Sequence, residues 1–168
     1  MKRYIRLLVP VFGLVLALLP SSALASTTYM ESVLGVETGI PQSTPQCPYP
    51  DSVSSFAGIA SGTLNGGFQI AVCHTPLGTT ATIEGGTFAI SNGASTITGS
   101  FAPGGTVTLV SNSVIGSLCV QRFAVSGGLL EGGVPAGNFA GKLVHYGVWT
   151  GTCNVFFATI SGHATLTV

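Results

Sequence analysis

The sequence predicts an all-β, single-domain fold: an antiparallel β-barrel or sandwich whose strands are bent at glycines. Three observations support this prediction. A short unit of one apolar residue, a glycine and a second apolar residue recurs between Ile59 and Leu166. Glycine-rich turn signals follow one another at short intervals along the same stretch. No segment after residue 25 keeps a helical apolar period for three turns, so helices are not expected.

The recurring glycines favour strands that curve around one core. Glycine weakens a strand interior, so its repetition indicates bends, bulges or close approaches of two backbones. Curved strands of this kind wrap into a coiled sheet rather than a flat one. The repeated units are 59–64, 83–88, 97–101, 125–129, 139–143 and 160–164.

The N-terminus predicts export. Lys2, Arg3 and Arg6 precede an apolar stretch, and Ala23-Leu24-Ala25 is a small-x-small cleavage site, as in a secretory signal peptide. The apolar stretch, residues 7–19, is shorter than the roughly 20 residues of a spanning helix. We therefore expect a signal peptide over 1–25, no membrane span after cleavage, and a secreted, extracellular or cell-surface protein.

The rest of the chain divides into a Pro-rich extended segment, 26–52, and an all-β domain, 53–168. Predicted strands of the domain are 56–64, 68–74, 80–90, 95–101, 106–111, 117–125, 138–149 and 155–168. Asn92-Gly93 between two alternating runs is a hairpin signal, and Gly132-Gly133-Val134-Pro135 marks another turn. Many short strands without helices between them favour a meander topology.

Charge limits the classes of partner. Residues 26–168 contain two cations against five carboxylates, a formal net charge of −3. Nucleic acids and anionic membranes require clustered Lys and Arg, so neither is an expected partner. Charged residues make up 6% of the whole chain, where an ordinary domain has about 25%. Since charge is what usually prevents strand edges from pairing between molecules, the sequence also favours a homo-oligomer.

The four cysteines of an exported chain predict two disulfides. Three pairings are open, and we favour Cys47 with Cys73 and Cys119 with Cys153. A metal site is not expected, because Cys73 and His74 are neighbours on a strand and point to opposite faces. No cofactor motif is present either.

Four residues are candidates for ligand binding: His145, Trp149, His163 and Arg122. On a strand, His145 and Trp149 share one face and would give a pocket an aromatic floor and an imidazole. His163 could converge with His145 if its face lines a barrel mouth, and Arg122 could anchor an anion if it is paired inside the barrel. The alternative is an ordinary strand with a core Trp, a rim His and a solvent-facing Arg.

Catalytic residues cannot be assigned from the sequence, because no Gly-x-Ser-x-Gly elbow and no joined carboxylate pair occurs. The leading hypothesis is a non-enzymatic binding or surface protein for a small apolar or uncharged ligand. A second hypothesis is a small secreted barrel enzyme of isomerase, cyclase or lyase type. It would use His145 or His163 as acid/base with Tyr146 or Arg122 assisting. A third is a self-assembling envelope or matrix component.

Overall fold

The computed structural model describes residues 26–39, 47 and 53–168. Within these ranges the chain forms nine strands and no helix. The strands are β1 (Thr28–Glu37), β2 (Val53–Gly62), β3 (Gly66–His74), β4 (Thr80–Ser91), β5 (Thr96–Phe101), β6 (Gly105–Ile115), β7 (Leu118–Glu131), β8 (Val134–Trp149) and β9 (Cys153–Thr167). The predicted signal peptide lies outside the described residues.

All strands belong to one antiparallel sheet that closes into a ring. Consecutive strands pair from β1 to β4 and from β7 to β9, and β9 pairs with β1. β5 and β6 both lie between β4 and β7. β5 pairs with both of these strands toward one end of the barrel, and β6 pairs with both toward the other end. This confirms the predicted all-β class, and closure of the ring makes the domain a barrel.

The eight strands predicted after Val53 all form. β7 and β8 continue farther than the sequence indicated, because their ladder runs up to the two-residue turn Gly132-Gly133. Both glycines have positive φ, +56° and +83°, which suits this tight hairpin. Val134 therefore belongs to β8 rather than to the turn.

A ninth strand, β1, lies in the segment that the sequence described only as an extended lead-in. It sits between β2 and β9 and completes the ring. Its outward residues Met30, Leu34 and Val36 are apolar, while its inward row includes Glu31. This reversal of the usual apolar-in pattern hides the alternation by which a strand is normally recognised.

The core fills the barrel with the inward residues of every strand. It is largely aliphatic and phenylalanine. In β9, Ala158, Ile160, Ala164 and Leu166 are buried as the alternation predicts. Phe156, which the same alternation assigns to the core, is 66% exposed. The pairing of β8 with β9 shifts at this point, so that Phe156 falls in a bulge and loses its inward position.

The recurring glycines make room for phenylalanine rings. A Cβ placed on Gly141 or Gly162 would lie 2.8 Å or 2.7 Å from Cζ of Phe139. The ring therefore lies directly over the backbone of two neighbouring strands. Phe68 has the same relation to Gly35, and Phe88 to Gly99. Close approach of an aromatic ring, rather than strand bending alone, explains these glycines.

The two ends of the barrel differ. The closed end carries the β2–β3, β4–β5 and β7–β8 turns and the pairing of Thr27 with Val168. At the open end, β6–β7 and β8–β9 continue beyond their neighbours. We call residues 110–121 and 146–157 the extension. The disulfide Cys119–Cys153 joins its strands β7 and β9 across Gly147 of β8.

The second disulfide joins Cys47 to Cys73 on the outward side of β3. The two bridges together are the pairing that the sequence favoured. Cys47 and Cys119 are both almost completely buried. The domain is therefore a disulfide-stabilised β-barrel, as expected for an oxidising, extracellular type of environment.

Candidate ligand-binding mouth

A cavity of about 530 Å³ opens at the open end of the barrel. Its lining comes from the β3–β4 loop, the inner faces of β6, β7 and β8, and the extension. The lining residues are Leu77, Gly78, Thr79, Leu109, Gln121, Phe123, His145, Thr152, Cys153 and Val155. None of them carries a formal charge at neutral pH if His145 is neutral. We call this cavity the mouth.

Among the described residues, His145 is the only titratable side chain in the lining of the mouth. It lies on the inner face of β8, paired across the strands with Gln121 on β7 and Ala158 on β9. Its ring centroid is 5.1 Å from that of Phe123. Burial, together with the nearby His74, lowers the pKa of His145 to about 4. The imidazole is therefore neutral at physiological pH, with one donor and one acceptor nitrogen.

No protein group among the described residues hydrogen-bonds to the ring nitrogens of His145. A neutral imidazole against an aromatic wall thus presents an unused donor and an unused acceptor to the mouth. Gln121 lies beside it across the ladder and adds an amide. Together with the hydroxyls of Thr79 and Thr152, these two residues provide the hydrogen-bonding capacity of an otherwise largely apolar surface.

His74 lies deeper in the barrel and is already satisfied. Its Nδ1 donates to the carbonyl oxygen of Thr75 at 2.7 Å, which fixes the tautomer, and its Nε2 accepts from the Ser54 hydroxyl at 3.2 Å. His74 is buried. It lies close enough to His145 to contribute, after burial, to the lowered pKa of that residue.

The barrel interior below the mouth is filled. The void next to His74 and Ser54 measures about 30 Å³ and is lined mainly by core side chains. A cavity of this size has room for about one or two water molecules. A ligand larger than that would occupy the mouth and would not enter the core.

The four residues predicted to bind a ligand are not brought together. His145 lines the mouth, and Trp149, 38% exposed, pairs with Cys153 at its border. His163 lies on the outer face of β9, where its Nδ1 is 3.0 Å from the Ser32 hydroxyl. Arg122 is exposed on the outer face of β7. His163 and His145 therefore point to opposite sides of the sheet.

Sequence reasoning did not select His74, Gln121 or Phe123. A signal existed for His74: it follows Phe68, Ile70 and Val72 at alternate positions of β3 and so belongs to the inner face. No comparable signal existed for Gln121. Its relevance depends on its register opposite His145, which only the paired strands reveal.

A larger concavity, about 930 Å³, lies outside the barrel. Two outward rows of small and hydroxyl side chains form it, Ser55-Ala71-Thr87-Ser100 and Ala57-Gln69-Ala89-Thr98, with the β7–β8 turn as one wall. Glu131 is the only ionisable side chain that the described residues contribute to it. Because this concavity lacks polar side chains that converge on one point, we consider the smaller mouth the better candidate site.

Metal ligation finds no support in the part of the chain that the structure covers: it contains no group of three or more His, Cys, Asp or Glu side chains arranged around a common point. In the same residues no helix is long and apolar enough to cross a membrane.

The fold and its mouth define a class, a disulfide-stabilised all-β barrel with one open end. No protein-family model, no curated protein and no solved structure matches this chain.

Proposed function

We propose that this protein is an exported, non-enzymatic binding protein that holds a small, uncharged and largely apolar ligand in the mouth of its barrel. The observation that carries the proposal is His145, whose neutral imidazole faces the mouth and has no hydrogen-bonding partner among the described residues. Two disulfides and the predicted signal peptide support the export part of the proposal.

The size and chemistry of the mouth support a small ligand. Its volume falls within the range of about 300–1,000 Å³ that is usual for small-molecule sites. Leu77, Leu109 and Phe123 provide apolar contact, whereas His145 and Gln121 can orient one or two polar atoms. A charged ligand would be desolvated in the mouth without a counter-ion, which is unfavourable. The ligand is therefore neutral.

The arrangement favours binding over acid/base catalysis. An imidazole with a pKa near 4 holds almost no proton at neutral pH, so it is a poor general acid there. Tyr146 and Arg122, the assisting residues of the enzyme hypothesis, belong to the outward rows of β8 and β7. They cannot act on a ligand beside His145 without a rearrangement of the strands.

Binding of N-phenyl-1-naphthylamine, a neutral apolar fluorophore with one N–H group, tests the proposal. Titration should give saturable enhancement of its emission and quenching of Trp149, the only tryptophan of the chain. His145→Leu keeps the apolar volume but removes the acceptor, and should weaken binding about 2- to 10-fold, the value of one hydrogen bond. Phe123→Ala should also weaken it, by loss of contact area.

His163→Leu is the matched control, because it makes the same change on the outer face and should leave the affinity unchanged. If the probe fails to bind, or if His145→Leu and Phe123→Ala both bind it as the unaltered protein does, the mouth is not the ligand site.

A further inference from the structure

The only Lys and the only Arg of residues 26–168 lie next to each other on the outer face of the barrel. Arg122 of β7 is paired with Val144 of β8, and Lys142 lies two residues from Val144 on the same side of that strand. The two side chains are therefore diagonal neighbours on adjacent strands, a separation that long side chains can span. Both are exposed. A chain with very few charges thus places both of its cations in one patch.

His163 continues the same diagonal onto the next strand. It is paired with Ala140, which lies two residues from Lys142 on the outer side of β8. Its Nδ1 is 3.0 Å from the hydroxyl of Ser32 on β1. Its Nε2 has no hydrogen-bonding partner among the described residues. We call Arg122, Lys142 and His163 the basic diagonal.

No carboxylate faces the basic diagonal. On the paired strands, every described outward residue opposite or diagonal to its three members is neutral. Glu31, which precedes Ser32, is buried and belongs to the inward row of β1. In the part of the chain that the structure covers, neither Arg122 nor Lys142 forms an ion pair. Their charges are therefore available to an anionic ligand.

A concavity of about 480 Å³ lies beside two members of the basic diagonal. Its lining includes two hydroxyls, an ammonium, an imidazole and the backbone of two glycines: Ser32, Ser161, Lys142, His163, Gly141 and Gly162. The hydroxyls, the ammonium and the imidazole can each donate a hydrogen bond to the oxygens of a sulfate or carboxylate group. An anion favours the protonated imidazole, whose Nδ1–H donates to Ser32 while its Nε2–H is left for the ligand.

From these observations we propose that the basic diagonal binds an acidic polysaccharide, a sugar polymer that carries sulfate or carboxylate groups. One anionic group lies in the concavity between Lys142 and His163, and a second group along the polymer reaches Arg122. Nucleic acids and anionic membranes require larger clusters of Lys and Arg than this one. The neighbouring hydroxyls of Ser32 and Ser161 suit a ligand that has hydroxyl groups of its own.

The basic diagonal and the mouth lie on opposite sides of the sheet. Lys142 points outward from β8, whereas Leu143 and His145 of the same strand point inward. A polymer on the outer face therefore does not compete with a ligand beside His145. This inference does not depend on the proposed ligand of the mouth, and the two can fail separately.

Surface plasmon resonance with immobilised dextran sulfate and polygalacturonate tests this inference, and uncharged dextran is the reference polymer. The secreted protein should bind at least one charged polymer, more weakly as the salt concentration rises, and should not bind dextran. Comparison of the two charged polymers shows whether sulfate or carboxylate is preferred. Lys142→Gln and Arg122→Gln should each weaken binding about two- to fivefold, the value of one exposed ion pair. His163→Gln should also weaken it, because an amide does not take up a positive charge.

Gln69→Glu is the matched control. It lowers the net charge by one, as Lys142→Gln does, but Gln69 is exposed on β3, on the far side of the ring from β8. It should bind as the unaltered protein does. Circular dichroism and the non-reduced mass establish that each variant is folded with two disulfides.

Three results would each overturn the proposal. The first is no binding to either charged polymer at low salt. The second is equal weakening by Gln69→Glu and Lys142→Gln, which would indicate repulsion by overall charge rather than a site. The third is tighter binding to anionic phospholipid vesicles or to a single-stranded oligonucleotide than to either polysaccharide, with loss of that binding in Lys142→Gln.

Discussion

The closed and open ends of the barrel are built from similar hairpins but differ in what they leave unsatisfied. At the closed end Leu166 is completely buried, and Glu31 and Leu64 are almost so. At the open end the mouth exposes His145, which has no hydrogen-bonding partner in the part of the chain that the structure covers, and the extension exposes apolar side chains. Buried side chains contribute to stability, whereas exposed groups without partners are available to other molecules. The difference favours the open end as the place where another molecule would bind.

The two disulfides lie in different regions of the barrel, one in the extension and one on the outward side of β3. The Cys119–Cys153 bridge connects residues 34 apart in sequence, and Cys47–Cys73 connects residues 26 apart. In the chain-entropy account, each bridge contributes about 3.5–4 kcal/mol. Cys119→Ala with Cys153→Ala should therefore lower the free energy of unfolding by about that amount, as measured by urea denaturation.

Hydrogen exchange of the same double variant sharpens the comparison. Protection should fall first in residues 146–157, while amides of the closed end follow only the global decrease. Cys47→Ala with Cys73→Ala is the paired control, and its loss of protection should centre on β3. An unchanged melting temperature after removal of either bridge would contradict a structural role for it.

Glu31 tests how complete the closed end is. One carboxylate oxygen accepts a hydrogen bond from the buried backbone N–H of Leu64, while its other oxygen has no partner in the described structure. Glu31→Leu leaves that N–H unsatisfied and should cost about 1–3 kcal/mol. Glu31→Gln keeps the acceptor and removes the charge, so the protein should be at least as stable as with Glu31. Urea denaturation of both variants measures the difference, and a Gln variant as unstable as the Leu variant would disprove this account.

Gly147 is a corresponding test at the open end. A Cβ at this position would lie 2.6 Å from the carbonyl oxygen of Asn154 and 2.8 Å from Sγ of Cys153. Gly147→Ala should therefore push β9 and the disulfide away from β8, at a cost of about 1–3 kcal/mol. Gly78→Ala is the control, because no atom lies within 4 Å of its Cβ position. Thermal denaturation should separate the two variants; equal melting temperatures would show that the extension yields without strain.

The fold could be predicted well from the sequence, because the alternation of side chains within one strand shows which of its residues face the core. Alternation in Ala158–Leu166 and the Gly132-Gly133 turn identify β9 and the β7–β8 hairpin without knowledge of any partner strand. Sequence reasoning missed β1, whose inward row includes the carboxylate of Glu31. It also misassigned Phe156, because a bulge depends on the register of two strands and leaves little mark on one of them.

The mouth was less predictable than the fold. The pairing of His145 with Trp149 on one face follows from strand periodicity, and both lie at the open end. The convergence of His163 with His145 required the face of β9 that carries His163 to point inward, but that face is on the outside of the barrel. Gln121 and His74 are relevant to the mouth because the closed sheet brings them close to His145. Their proximity cannot be inferred from the sequence of any one segment.

The smallest expected effect concerns pH and isolates His145. Its pKa is about 4 in the folded protein and near 6.5 in the unfolded chain, so only the unfolded state gains the proton between these values. The contribution of His145 to the free energy of unfolding is fully present above about pH 6.5 and is lost as the pH falls toward 4. After allowance for solvent screening at an open mouth, the loss is about 1–2 kcal/mol.

Glu37 acts in the opposite direction. Burial raises its pKa above the usual 4.5, so its proton is held to higher pH in the folded state and stability decreases as that proton dissociates. A pH profile of the unaltered protein therefore contains opposing contributions, and a comparison of variants is needed to separate them.

Urea denaturation at pH 7.5 and pH 4.5 should show a smaller acid-induced loss of stability for His145→Gln than for the unaltered protein. His163→Gln, which removes an imidazole from the outer face, should retain the full loss. If His145→Gln loses as much stability as the unaltered protein, the imidazole is not held neutral by its surroundings, and the open end is more hydrated than its lining implies.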